Sequence, residues 1–355
     1  MTRAAAALAV AAAVGQLAAA QTSKPLVYVL STGGTISGRG DSSTNLTDYR
    51  SGSLLGEQLV AGVPEIKTVA DVRVEQVANV SSTDIAPSHW LTLAKRIDRI
   101  FTDDRQAAGV VITHGTNTLE ETAYFLNLTV RHDRPVVLVG SMRPSTAISA
   151  DGPINLLNGI RTAIAPDARG KGVLVVLNDE INAARDVTKT NTLRVETFRA
   201  PELGLLGYVD GDRVTFYRAS TRRHTTRSEF DVTGRTELPP VAIVYSYAGA
   251  GTAPLDAAVA SGAAGIVIAG TGNGLVSSEE QTVLRRIAAM DRARRPVVVR
   301  SARVGNGRVT PRAAYDEMDA IAADNLNPQK ARVLLMLALT KTRDTKEIAR
   351  MFSEY

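Results

Sequence analysis

The chain has 355 residues, of which 44% are hydrophobic and 22% charged, enough for one large or two ordinary domains with real cores. Its net charge of +5 comes from arginines scattered through helix patterns and loops, and aromatics are only 5%, so no basic, aromatic-rich face points to nucleic acid. There is no cysteine, which excludes a disulfide scaffold. Arg3 precedes an alanine-rich apolar run, and Ala-Ala-Ala at 18–20 offers a cleavage site before Gln21. Residues 1–20 therefore read as a secretory signal peptide, and the mature chain is expected in a periplasm or the medium. The run is shorter than the roughly 20 residues of a membrane span, and no later segment reaches that length without charges.

The first strand is Leu-Val-Tyr-Val-Leu at 26–30, which runs into the turn Gly33-Gly34 with Thr35 just beyond. Residues 39–56 are rich in Gly, Ser, Asp and Asn, a candidate lid that carries Tyr49. Residues 72–77 alternate as a strand and end in Asn-Val-Ser-Ser-Thr-Asp at 79–84, and 88–101 read as an amphipathic helix capped by Ser88. The β-branched run at 109–113 passes through the turn at 114–118 into a helix with apolar Leu119, Ala123, Leu126 and Val130. Thr118 with Glu121, or Asn117 with Glu120, has capping-box spacing. A hydroxyl at a helix start is usually only a cap. Here two strand ends each offer a threonine, and the two could converge on one small polar substrate.

Buried strands follow at 135–140 and 172–178, with Asp151 and Pro153 opening a helix between them. This strand–helix alternation implies an α/β fold, a mostly parallel sheet with helices on both faces. The pattern dissolves at 219–240, ending in Pro239-Pro240, which is expected to be a linker with its arginine cluster at 218–227 solvated. Strands at 241–246, 265–269 and 296–300, and helices from Asn327 and Lys346, form a second, smaller α/β unit. The expected organisation is a larger N-terminal domain over 21–218, the linker, and a C-terminal domain over 241–355.

Thr-Gly-Gly-Thr-Ile at 32–36 and His-Gly-Thr-Asn-Thr-Leu-Glu-Glu-Thr-Ala at 114–123 resemble the bacterial type II L-asparaginases, amidohydrolases with threonine nucleophiles. The resemblance continues through Met-Arg-Pro at 142–144, Ser-Ala-Asp-Gly-Pro at 149–153, Arg-Asp-Val-Thr-Lys-Thr-Asn-Thr at 185–192 and Leu-Asn-Pro-Gln-Lys-Ala-Arg-Val at 326–333. It implies hydrolysis of L-asparagine to L-aspartate and ammonia, with L-glutamine as a second amide, in a homotetramer that needs no cofactor. Carried onto this chain, it makes Thr35, Tyr49, Thr116 and Lys189 catalytic and puts Ser82, Thr83 and Asn117 against the substrate. Either threonine could attack, and the sequence leaves that open.

Four positions depart from the family. Asn117 stands where an Asp is usual, and Thr83 replaces Gln or Glu. Leu275 replaces an Asn or Ser supplied by the neighbouring subunit. A glutamate of the smaller domain has Tyr315, Asp316 or Glu317 as its counterpart. These departures motivate a rival reading, a catalytically weak amino-acid-binding protein on the same fold. The metal reading fails on inventory, because His89, His114, His132 and His224 stand far apart without His-Glu-x-x-His. There is no Gly-x-Ser-x-Gly elbow, and the Gly-Gly turn lacks dinucleotide spacing.

Overall fold

Strand β1 (Leu26–Gly33) buries alternate residues in two different cores. Tyr28 and Leu30 join Trp90, Ile97 and Phe125, whereas Val27 and Val29 join Leu156 and Ile160. That period of two is what a strand covered by helices on both faces requires. The computed structural model describes residues 23–355, so the expected signal peptide at 1–20 lies outside the described residues.

The remaining strands of the larger unit are β2 (Asp71–Val80), β3 (Ala107–Thr113), β4 (Val136–Val139), β5 (Val173–Leu177), β6 (Glu180–Ala183), β7 (Thr188–Lys189), β8 (Phe198–Arg199), β9 (Gly207–Val209) and β10 (Val214–Phe216). Eight of them form one sheet in the order β10-β9-β6-β5-β4-β3-β1-β2. The run from β2 to β5 is parallel, while β6, β9 and β10 are antiparallel additions that the strand–helix reading did not foresee. The turn into β6 consists of Asn178 (φ 53°) and Asp179 (φ 62°), the left-handed pair of a two-residue hairpin. From β1 the chain goes to β2 on one side and returns to β3 on the other, so a crevice opens at the carboxyl ends of β1 and β3.

The smaller unit has β11 (Val241–Tyr245), β12 (Gly265–Gly270), β13 (Val297–Ala302) and an unforeseen β14 (Ala320–Ala322), parallel and in sequence order. Ile266, Ile268 and Val298 face Leu255 and Leu284 on one side of it. Val267 and Val299 belong to the same core as Trp90 and Phe125 of the larger unit. The link is the helix Pro328–Ala338, which packs on the helix Leu119–Thr129 and on β11 and β12, with Leu334, Leu335 and Leu337 fully buried.

Several local expectations change. The helix Pro87–Asp103 starts one residue earlier than expected, and His89 Nδ1 accepts the Ala86 N–H (3.0 Å), so Ser88 is not the cap. The helix Leu119–Thr129 begins after Thr118, but the Thr118 hydroxyl donates to the Ser82 carbonyl (2.6 Å) and no capping box forms. Asp151 precedes the helix Gly152–Ile164, and its carboxylate accepts the N–H groups of Met142 and Arg143 rather than capping. The arginine cluster is partly packed: Arg222 and Arg223 are half-buried, while Arg218 and Arg227 are exposed as expected. Arg222 pairs with Asp324 (2.7 Å), Arg223 with Glu354 (2.5 Å), and Phe230 is buried against Tyr355.

Candidate active site

The carboxyl ends of β1 and β3 meet backbone to backbone. Gly34 has φ +85°, and a Cβ there would lie 2.2 Å from the Gly115 Cα, so only glycine allows the two turns to touch. Behind them the strand ends are tied by buried hydroxyls: Thr32 donates to the Thr113 carbonyl (2.9 Å) and Thr113 to Ser31 (3.0 Å). The turns thus bring Thr35 and Thr116, each next to one of the touching glycines, to one crevice.

The four residues that the resemblance makes catalytic stand as two hydrogen-bonded pairs. Thr35 Oγ1 lies 2.7 Å from the Tyr49 hydroxyl, and the Tyr49 ring packs over Gly38, where a Cβ would come within 2.8 Å of it. Lys189 Nζ donates to Thr116 Oγ1 (2.9 Å) and to Asn117 Oδ1 (3.2 Å). Strand β7 carries Lys189 and pairs with β8, placing it opposite the buried Phe198. Burial lowers the Lys189 pKa from the ordinary lysine value, partly offset by the Glu120 carboxylate, so the amine is pushed toward its basic form.

Ser82 is buried, and its hydroxyl accepts the Asn117 N–H (3.1 Å). Thr83 is exposed and donates to Ser81 Oγ (2.9 Å). The Gly34 N–H is given to the Val80 carbonyl (3.0 Å) and is not free to bind an oxyanion. Leu275 closes a turn with Thr271 in the smaller unit. Tyr315 is buried, accepting the Val276 N–H (3.1 Å) beneath the Arg300 guanidinium. Asp316 lines a cavity of about 420 Å³ with Arg222 and Asp324, and Glu317 is exposed.

Two residues that the motifs contained but sequence reasoning did not assign are His114 and Glu120. His114 is fully buried, and its ring sits 2.8 Å from the Gly115 carbonyl through Nδ1 and 2.9 Å from Thr122 Oγ1 through Nε2. A carbonyl only accepts, so Nδ1 carries the proton. Nε2 then accepts from Thr122, which in turn accepts the Trp90 indole N–H (2.9 Å). The neutral ring braces the turn that presents Thr116. Burial lowers the His114 pKa from 6.5 to about 4. Between those values the unfolded chain binds a proton that the fold refuses. The His114 contribution is therefore full above pH 6.5 and is lost as pH falls toward about 4, amounting to about 3 kcal/mol. Glu121, which burial pushes up to about 7, acts in the opposite sense: its contribution is full below 4.5 and is lost as pH rises through about 7. Urea unfolding of the protein beside His114→Gln separates the two. Between about pH 4.5 and 6.5 the two opposed slopes largely cancel in the parent, so the expected result in the variant is a stability that falls as pH rises through this range; equal slopes in the two proteins remove the assignment.

Known proteins carry the same arrangement of sequence. The model of the N-terminal asparaginase domain matches residues 26–222, and that of the glutaminase/asparaginase C-terminal domain matches 240–352. L-asparaginase 2 of Bacillus subtilis is 52% identical over 332 residues, covering 93% of this chain and 87% of the relative. L-asparaginase 2 of Escherichia coli is 47% identical and covers 98% of both chains. Among solved structures, a probable cytoplasmic L-asparaginase from Campylobacter jejuni superposes with a TM-score of 0.90 at 45% identity, covering 94% of this chain and all of the other.

Proposed function

This chain belongs to the asparaginase family, and from that premise we propose that it is an L-asparaginase, converting L-asparagine to L-aspartate and ammonia, with L-glutamine as a slower substrate. The Thr35 hydroxyl attacks the carboxamide carbon. Its proton passes to the Tyr49 oxygen while the Tyr49 proton goes to the departing nitrogen, which leaves as ammonia. Water then opens the Thr35 ester, giving one proton through the Thr116 hydroxyl to the neutral Lys189 amine and its other, relayed by Tyr49, to the freed Thr35 oxygen; Lys189 regains its neutral form by releasing its proton to solvent, where ammonia takes it up. The Gly115 N–H is the backbone donor assigned to the oxyanion. Ser82 and Asn117 line the substrate side of the crevice, with Thr83 beside them.

One observation carries this reading: two hydroxyls, each hydrogen-bonded to a distinct proton partner, stand on turns in van der Waals contact. Ammonia release from L-asparagine, measured with and without a chelator, tests it. Equal turnover in both is expected. Turnover of neither amide would favour the amino-acid-binding reading instead.

The same reading places the mature enzyme outside the cytoplasm, cut after Ala20, as a homotetramer whose sites are each completed by the Leu275 turn of a neighbour. The support is the leader-like layout of 1–20 and the family resemblance of the turn at 270–275. Intact mass of exported protein should begin at Gln21, and light scattering should give four chains. A fully active monomer, or a retained leader, overturns the corresponding part.

A further inference from the structure

The motif Asn-Pro-Gln-Lys at 327–330 belongs to the smaller unit, yet its polar side chains reach Glu120 and the segment that carries Lys189. The Asn327 carboxamide accepts the Lys330 N–H (3.0 Å), starting the helix Pro328–Ala338, and donates to Glu120 Oε2 (2.9 Å). Gln329 donates to Glu120 Oε1 (3.3 Å). Lys330 is 2% exposed, and its ammonium donates to the carbonyls of Arg185 (2.8 Å) and Val187. It also stands 3.9 Å from Glu120 Oε2.

Glu120 is buried on the other side of this cluster. It accepts the Thr188 hydroxyl (3.1 Å) and faces the Lys189 N–H (3.4 Å). A buried carboxylate thus lies directly behind the catalytic amine, and an unbalanced negative charge there would hold Lys189 protonated. Among the described residues the amine itself donates to two neutral acceptors, Thr116 Oγ1 and Asn117 Oδ1.

We propose that Lys330 is a positioning residue for Lys189: it balances the Glu120 charge and pins the carbonyls of residues 185 and 187, so that the smaller unit keeps the catalytic amine in place and free to lose its proton. This rests on Lys189 being the base. Other charges around the cluster are internally paired. Arg185 binds Asp186 (3.2 Å), and Arg199, on the strand beside Lys189, binds Glu196 (3.1 Å) at the surface. Burial lowers the Lys330 pKa from the ordinary lysine value, while Glu120 and Asp186 oppose that.

The pH profiles of kcat and KM for L-asparagine in Lys330→Met, Glu120→Gln, the double variant and Lys189→Met test the idea. In Lys330→Met the acid limb of kcat should move up by about 1–3 pH units, the usual effect of one nearby charge, with KM changed by less than about twofold. Glu120→Gln should move the limb down, and the double variant should return it to the parental position. A limb unmoved in both Lys330→Met and Glu120→Gln overturns the proposal. If Lys330→Met does not fold, the double variant and Glu120→Gln decide it, since neither leaves an unbalanced carboxylate. If Lys189→Met keeps its activity and acid limb, the base assignment itself has failed, a different outcome from the others.

Discussion

Thr35→Ala and Thr116→Ala are each expected to lower kcat for L-asparagine by roughly 10³-fold or more, and Lys189→Met by a comparable factor. Each removes a member of a unit in which hydroxyl and proton partner act together, so losses in a Thr116→Ala/Lys189→Met double variant should be far less than additive. Folding should survive. Thr35 and Thr116 are buried at 7% and 4% exposure, and each gives up one hydrogen bond to a partner that is itself only partly buried. The net worth of such a bond is about 1 kcal/mol, a shift of about 1–2 °C in a chain of this size. Lys189→Met should also remove the acid limb of kcat, because turnover rises with pH as this amine loses its proton. Single-turnover kinetics with a thermal melt on each variant checks all of this. Near-parental kcat in both threonine variants would sink the assignment, whereas a lost melt would turn an activity loss into a folding effect.

The strands and the two threonine turns were legible because they are local, whereas the partners Tyr49 and Lys189, the latter 73 residues from Thr116, came only from the family resemblance. An apolar run, a Gly-Gly turn and a threonine sit within ten residues of sequence, and a strand's covering shows in its period. What was not legible came from contacts between distant segments. Glu120 looked like a capping residue, and nothing on its own helix says that its carboxylate is taken by residues 188, 327 and 329. One signal was available for Lys330. A lysine opening a helix that is otherwise nearly all apolar has to find partners in the core, and here they are two carbonyls 145 and 143 residues away. The antiparallel edge had its own mark, the Asn-Asp pair at 178–179, a hairpin composition hidden among residues that also suit any loop. The arginine cluster was misread in part, for the opposite reason. Arginine-rich composition suggests solvent, which holds for Arg218 and Arg227, but the guanidinium groups of Arg222 and Arg223 find Asp324 and Glu354 in distant segments while their stems are half-buried.

Asn117→Asp is expected to raise kcat/KM for L-asparagine by about tenfold on the alkaline plateau while moving the acid limb of kcat to higher pH. Two partners meet at this side chain. The Asn117 oxygen already accepts from Lys189 Nζ at 3.2 Å, and the same exposed carboxamide is assigned to the substrate's α-ammonium. A carboxylate would bind both cations more strongly. Hydrogen bonds to charged groups are worth about 1.5–3 kcal/mol against about 1 for neutral pairs, so the gain in substrate grip is of the order of one factor of ten. The cost falls on Lys189, whose charged form gains the same support, so more alkali is needed to free the base. The two effects separate by substrate. An amide without an α-amino group offers no cation to the new charge, so it should show the shifted limb without the higher plateau. Parallel plateau gains for both amides would mean that residue 117 does not face the ammonium. A higher plateau with an unmoved limb would mean that Lys189 does not feel residue 117, contrary to the hydrogen bond between them.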